Sequence, residues 1–298
     1  MFEKEAKTIK VEGADLAARL KFVNESRSKA KAPGRYWIAY TFPLRPNVAL
    51  EAVLTNANGS QIKLGAITGA GPADSTRRAG LFLSHEDKSD VDLNRPTRVE
   101  LFDLDRAHHW KELSIYWLGS IEADQSLEFL ERLIAESHDA DACARLAEAA
   151  AVHNDPRAEA LLKRLACGAT FAETRMAAIR WLGRIGGHLD FLAEVVTDKA
   201  ENSRVREQAV MSIGKSIEPE AIAVLRRLYE TIETTSLKMH VITALSKQRA
   251  SPAAVKFLTS ISKSEGDNVL GLHSRAKLDK TQGKKLKKKV LKPLYKQC

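Results

Sequence analysis

From Arg35 to Leu44 the large apolar residues Tyr36, Ile38, Tyr40, Phe42 and Leu44 alternate with smaller or polar ones. A period of two predicts a β-strand with those five side chains on one face. Val48, Leu50, Ala52 and Leu54 repeat the pattern, and Ile62, Leu64 and Ala66 continue it beyond Asn58-Gly59, a pair suited to a tight hairpin. Gly69-Ala70-Gly71-Pro72 breaks the chain, and Gly80–Ser84, Thr97–Leu104 and Leu113–Leu118 form three further candidate strands. Their short spacings favour an antiparallel meander, because parallel neighbours need long crossovers. Ahead of the strands, Asp15–Ala32 has helical spacing, with Leu16, Leu20 and Val23 on one side and Pro33-Gly34 as its stop.

Beyond residue 120 the period changes to that of helices, and the pattern repeats. Gly119, Ala151, Gly183, Gly214 and Ser246 are separated by 32, 32, 31 and 32 residues, and each closes a stretch rich in alanine and leucine or isoleucine. An apolar doublet follows each anchor: Phe129-Leu130, Leu161-Leu162, Phe191-Leu192, Val224-Leu225 and Phe257-Leu258. Between anchor and doublet lie Asp155-Pro156, Glu218-Pro219 and Ser251-Pro252. Proline suits the start of a helix, where its missing N–H costs no hydrogen bond, and Asp155 and Ser251 are good N-caps. Each unit therefore reads as helix, short turn, helix. Such a hairpin buries its apolar face only by stacking on its neighbours.

The segments Arg175-Met176-Ala177-Ala178-Ile179-Arg180-Trp181-Leu182-Gly183 and Val205-Arg206-Glu207-Gln208-Ala209-Val210-Met211-Ser212-Ile213-Gly214 resemble the first-helix pattern of the short HEAT-like repeat family. The resemblance covers about residues 120–280 and implies an α-solenoid. With the strand-rich front, the whole resembles bacterial HEAT-repeat proteins, some of them exported. The expected fold is α+β: a small antiparallel β domain with a leading helix over residues 1–118, a HEAT-like α-solenoid over 119–280, and a tail over 281–298. Because the strand Leu113–Leu118 runs straight into the first repeat, the junction is expected to be rigid, with the β domain covering the bare end of the helical stack.

Charge sharpens this division. The 298 residues contain 47 Lys+Arg and 38 Asp+Glu, a formal net charge of +9. Ten basic residues and the single acid Asp279 lie from Arg275 onward, so that stretch carries the whole excess and residues 1–274 balance 37 against 37. A body-wide basic field of the kind that binds nucleic acid is not what the net charge reports. Met1 to Val23 is charged throughout and contains no signal-peptide core, so a reducing cytoplasm is the expectation for the sequence as it stands; the resemblance adds export, with a leader cut away, as the alternative. Cys143, Cys167 and Cys298 are too few and too scattered for a disulfide framework or a zinc site.

Candidate site residues fall into a few groups. Arg175, Arg206 and Lys238 each lie eight residues before an anchor, a position at which the resemblance implies a structural ladder of hydrogen bonds between repeats; Cys143 holds that place in the first unit. The second helices carry the basic pairs Lys163-Arg164 and Arg226-Arg227, candidates for binding an acidic peptide or phosphates on the solenoid's inner face. Lys284, Lys285, Lys287, Lys288 and Lys289, interleaved with Leu286 and Val290, can neutralise phosphates on nucleic acid or anionic lipid. His108-His109-Trp110 with Asp103 and Asp105, and His85-Glu86-Asp87, contain ligand types without the spacing of a known metal motif, so no metal is expected. Trp181 and Asp190 bear on a third reading, a HEAT-like glycosylase or lyase; Trp181 occupies a repeat-core position and reads as packing.

No P-loop, dinucleotide fingerprint or nucleophile elbow is present in the sequence. The expectation is therefore a non-enzyme without cofactor: a scaffold that binds a protein partner on the solenoid's inner face or the β domain's surface. The alternative is a nucleic-acid-binding protein anchored by its tail.

Overall fold

A computed structural model describes residues 7–30, 35–50, 53–55, 61–63, 66–68, 76, 79–86, 93, 95–104, 114–248 and 251–281. The chain divides into two compact units, Met1–Ala178 and Ile179–Cys298.

The first unit holds a five-stranded sheet in the order β1-β9-β2-β7-β8. The strands are β1 (Lys7–Lys10), β2 (Arg35–Phe42), β7 (Ala79–Glu86), β8 (Arg98–Asp103) and β9 (Ser114–Ser120). Four shorter strands, β3 (Val48–Leu50), β4 (Val53–Thr55), β5 (Gln61–Lys63) and β6 (Ala66–Thr68), pair as the nested ladders β3–β6 and β4–β5. That is the register expected of a hairpin, although Asn58-Gly59 itself lies outside the described residues, as do Gly69–Pro72 and Pro33-Gly34.

The sheet is mixed, which corrects the expected antiparallel meander. β2–β7 and β7–β8 are antiparallel, but β9 runs parallel to both β1 and β2 and lies between them. Helix α1 (Leu16–Ala30) joins the parallel strands β1 and β2, making a split βαβ unit whose gap β9 fills. Local spacing is blind to this, because β9 reaches its neighbours from a distant part of the chain. Two contacts hold α1 there: the Arg19 guanidinium donates to the carbonyls of Leu118 and Ser120, and Gln125 accepts from the backbone N–H of Leu16. Asp15 caps α1 through the N–H of Ala18 at 2.8 Å.

β2 is buried on both faces, not one. Tyr36, Ile38, Tyr40 and Phe42 form the expected apolar set. Trp37 and Ala39, on the opposite face, join Phe82, Phe102, Leu104 and Trp117 in a second cluster. A central strand covered on both sides is apolar throughout, so alternation in its sequence overstates how one-sided its burial is.

Among the described residues ten helices follow the sheet. The first unit contains α2 (Ala123–Glu136), α3 (Ala140–Ala151) and α4 (Arg157–Gly168), and α5 (Ala172–Ile185) crosses from one unit into the other. The second unit contains α6 (Leu189–Thr197), α7 (Ser203–Ile213), α8 (Ala221–Thr231), α9 (Thr235–Leu245), α10 (Pro252–Ser264) and α11 (Val269–Thr281). All five apolar doublets lie in the even-numbered helices α2 to α10. Ala151 ends α3, Gly183 lies in the last turn of α5, and Gly214 and Ser246 are the C-caps of α7 and α9.

Gly119 is the exception among the anchors. It lies in β9 with φ +79°, at an irregularity where the register with β2 shifts between Ala39 and Thr41. Glycine is there for a bulge that needs a left-handed residue, not for a helix end.

The sheet and the first helices share a buried polar junction. Ser126 Oγ lies 2.7 Å from His153 Nε2 and 3.1 Å from Tyr40 Oη, and His153 Nδ1 lies 2.7 Å from the Ala149 carbonyl. That carbonyl only accepts, so Nδ1 carries the ring proton, Nε2 accepts from Ser126, and the Tyr40 hydroxyl supplies the hydrogen to the Ser126 oxygen. Phe42 stacks on the His153 ring with centroids 3.8 Å apart. Backbone bonds from Arg45 to Val152 and from Asn154 to Pro43 close the same junction.

In the second unit the first helices α7, α9 and α11 form one packed row and the second helices α6, α8 and α10 another. Glycine sets the approach. A Cβ on Gly183 would lie 2.7 Å from Ser212 Cβ, and one on Gly214 would lie 2.6 Å from Ala244 Cβ and 2.7 Å from Ala244 Cα.

Two predictions follow from these contacts. Burial holds the His153 imidazole neutral, with its pKa lowered from 6.5 to about 4. The unfolded chain therefore binds a proton that the folded chain refuses between those values. This contribution to stability is complete above pH 6.5 and is lost as the pH falls towards 4, up to about 3 kcal/mol. Chemical denaturation across that window should show a shallower pH dependence for His153→Gln than for the parent chain. Separately, Gly214→Ala should destabilise the second unit by about 1–3 kcal/mol, because backbone atoms cannot move aside as a side chain can. Gly168→Ala, at the end of α4 with nothing within 4 Å, should be neutral or stabilising by up to about 1 kcal/mol. Thermal melts of the two variants should shift in opposite directions or leave Gly168→Ala unmoved.

Candidate binding surface

The basic residue eight places before each anchor serves the end of the preceding helix. Arg175 Nη1 donates to the carbonyls of Ala169 at 2.6 Å and Thr170 at 3.2 Å, just beyond α4. Arg206 Nε donates to the Val196 carbonyl of α6 at 2.8 Å. Lys238 does something different: its ammonium lies 5.0 Å from the centre of the Tyr229 ring of α8, whose hydroxyl donates to Glu265 at 2.8 Å. A cation placed at a helix C-terminus satisfies orphan carbonyls and the negative end of the helix dipole. Cys143 is buried at its equivalent position, and burial raises its thiol pKa, so it is not a poised nucleophile.

The basic pairs on the second helices are exposed, and acids accompany them. Arg164 of α4 pairs with Glu131 of α2 at 2.6 Å. Arg157 pairs with Asp155 at 2.9 Å and Glu128 at 3.4 Å. In the second unit Arg227 of α8 pairs with Asp190 of α6 at 3.5 Å. Arg226 pairs with Glu230 at 3.0 Å and lies over the Phe257 ring of α10. Lys163 is exposed beside Arg164 on α4. In each unit the basic pair is thus part of a mixed-charge surface. Trp181 is 1% exposed and packs in the core, whereas Asp190 is exposed and engaged with Arg227, so the two do not converge on a pocket.

Residues 105–113, with His108, His109, Trp110 and Asp105, lie outside the described residues, and so do Asp87 and the tail lysines Lys284, Lys285, Lys287, Lys288 and Lys289. Asp103 is buried and accepts from Thr76. His85 is buried with its ring stacked on Tyr36. Among the described residues no group of three His, Cys, Asp or Glu could hold a metal ion. Among them, too, no helix is long and apolar enough to cross a membrane. The Ser126–His153 pair has the elements of a nucleophile and its base, but Ser126, His153 and Tyr40 are each 0% exposed. Their hydrogen bonds hold the sheet to α2 and α3.

One cluster escaped the sequence reading. Arg184, Lys215 and Lys247 each follow an anchor directly, and Arg180 lies one turn before Arg184 on α5. The close approaches at Gly183 and Gly214 bring the ends of α5, α7 and α9 together. Gln248 then fixes the neighbouring turns, its amide donating to the Gly214 carbonyl at 3.1 Å and the Ser216 carbonyl at 2.7 Å, on either side of Lys215. Partial desolvation and the like charges of Arg184, Arg180 and Lys247 lower the Lys215 pKa. The signal was present in the anchors, one residue further on. Recurrence showed the spacing, but only the close packing shows that the charges crowd.

No curated protein matches the sequence significantly. Residues 196–272 match the family model described as HEAT repeats, so the paired helices from the end of α6 into α11 are a HEAT-repeat segment of this chain.

Proposed function

We propose that residues 119–280 act as a non-catalytic scaffold that binds a protein partner. HEAT repeats are commonly protein-interaction scaffolds and typically carry no catalytic machinery. The observation that supports the reading is the mixed charge on the second helices within each unit. In the first unit Lys163 and Arg164 are exposed and Arg164 pairs with Glu131; in the second, Arg226 and Arg227 are exposed and pair with Glu230 and Asp190. A surface that alternates acid and base within a few ångströms repels a long polyanion as much as it attracts one. It suits a folded protein with a complementary pattern, where paired charges select the partner and fix its register. Phe257 beneath Arg226 adds the aromatic and arginine chemistry common at such contacts.

The second reading, nucleic-acid binding, rests on the lysine-rich composition of residues 284–289. In that case binding belongs to the tail, and the body contributes little.

Two measurements separate these readings. A photoreactive residue replacing Arg164 or Arg227 in the full chain should cross-link one defined protein, and that protein, purified, should form a stoichiometric complex weakened about tenfold by Arg226→Glu/Arg227→Glu. Replacing Lys284, Lys285, Lys287, Lys288 and Lys289 with glutamine should abolish duplex-DNA binding at low salt and leave the protein complex intact. Failure to find a protein complex, together with DNA binding that survives the glutamine changes, would overturn the scaffold reading.

A further inference from the structure

A groove of about 360 Å³ lies in the first unit, lined by the start of α1 and by α2. Its floor is apolar: Leu16 and Leu20 of α1 and Phe129 of α2 line it, and all three are buried. Its polar groups come mainly from α2, where Gln125, Glu128 and Arg132 recur at helical spacing and so share one face with Phe129. Asp15, the cap of α1, adds a second acid.

These polar groups are unequally engaged. Asp15 accepts from the N–H of Ala18 at 2.8 Å, and Glu128 accepts from Arg157 at 3.4 Å. Both acids therefore have a donor already. Gln125 accepts from the N–H of Leu16 at 3.2 Å through Oε1, which leaves its amide nitrogen a donor with no acceptor among the described residues. Arg132 is exposed, and its guanidinium lies 5.2 Å from the centre of the Phe129 ring, with no carboxylate partner among the described residues. A guanidinium held over a ring keeps its fork of N–H donors available, and that fork matches a carboxylate. Seven residues separate Gln125 and Arg132, about 10.5 Å of helix rise, but Arg132 leans back over Phe129 and brings the two donors closer.

Spare donors above an apolar floor call for a ligand with acceptors at one end and hydrocarbon at the other. The volume is at the lower end of small-molecule sites, roughly 300–1,000 Å³. We propose that this groove binds a small organic acid with an apolar body. The carboxylate takes the N–H fork of Arg132, with the Gln125 amide as a further donor, and the hydrocarbon covers Leu16, Leu20 and Phe129. An organic cation is the poorer match, because the acids of the groove are engaged while its donors are not. Since the ligand touches both α1 and α2, binding braces one against the other. The site is separate from the basic pairs of the second helices and does not rest on the scaffold reading.

The test titrates the full chain with hydrocinnamate at millimolar concentration by ligand-detected NMR. Saturable binding is expected, with a rise in melting temperature, because a ligand that binds the folded chain stabilises it. Hydrocinnamamide keeps the shape and loses the charge, and phenethylamine reverses the charge; each should bind at least tenfold more weakly. Arg132→Gln should weaken hydrocinnamate at least tenfold, the scale of a lost charge-assisted hydrogen bond. Gln125→Glu keeps the acceptor for Leu16 and puts a negative charge where the donor was, so it should weaken binding severalfold. Arg145→Gln, which removes an exposed cation paired with Glu148 on α3, should change it less than twofold. Circular dichroism of each variant checks that the fold is kept. No saturable binding of hydrocinnamate, equal or tighter binding of the amide or the amine, or binding unchanged by Arg132→Gln would overturn the proposal. The protein complex of the scaffold test is read separately: its absence overturns the scaffold and leaves the groove standing, and an empty groove leaves the scaffold standing.

Discussion

The second unit depends on how closely its first helices approach. At Gly183 and Gly214 the space for a Cβ is already taken by Ser212 and Ala244 of the following helix. Glycine near a helix end costs about 1 kcal/mol relative to alanine, and close contact between helices offsets it. The consequence reaches beyond packing. Helices held that closely fix the spacing of every residue that follows them, so the turns after α5, α7 and α9 fall into register. Gln248 bonds across one of these turns, and the Glu218 carboxylate lies 3.7 Å from where a Cβ on Gly186 would be. Charges appended to such turns are crowded by construction.

The first unit solves its junction by other means. Instead of glycine it buries three polar side chains, and each finds its partner among the others or on the Ala149 carbonyl. A buried network of this kind is costly when incomplete and specific when complete. Phe42 and Phe129 pack against His153 and Tyr40, so the network is enclosed by aromatic rings. A serine 2.7 Å from an imidazole invites a catalytic reading. Burial decides against it: a nucleophile that no substrate reaches acts as a structural bond.

What the sequence made legible was whatever is periodic and local. The helical doublets fell in the expected helices, and Ser251-Pro252 opens α10 with proline at its first position. Recurrence at 31 or 32 residues located Gly183, Gly214 and Ser246 correctly because helix ends repeat with the fold. The same recurrence picked out Gly119, which ends no helix but is a left-handed residue in β9, because spacing alone does not separate the two roles. The mixed sheet was illegible for a related reason: nothing near Ser114–Ser120 says that its neighbours are Lys7–Lys10 and Arg35–Phe42. At the surface the same limit applied twice. Arg164 and Arg227 read as bare cations because Glu131 and Asp190 are more than thirty residues away in sequence. Lys215 and Lys247 drew no reading at all, since their crowding exists only once the helices pack.

Net charge is therefore a poor guide to this protein, even when resolved by segment. Residues 1–274 are formally neutral, which suggests a surface without electrostatic preference. The folded chain sorts those balanced charges into two arrangements with different physics. Where acid and base interleave across helices, the fields cancel within a few ångströms, and what remains is short-range pattern. Where like charges are held together, their potentials add, and a carboxylate feels them out to about a Debye length, roughly 8 Å at physiological salt. The first arrangement acts only at contact distance; the second acts at longer range. Both follow from where the backbone allows helices to touch, which is why two glycines have more bearing on the crowding at Lys215 than the overall excess of lysine.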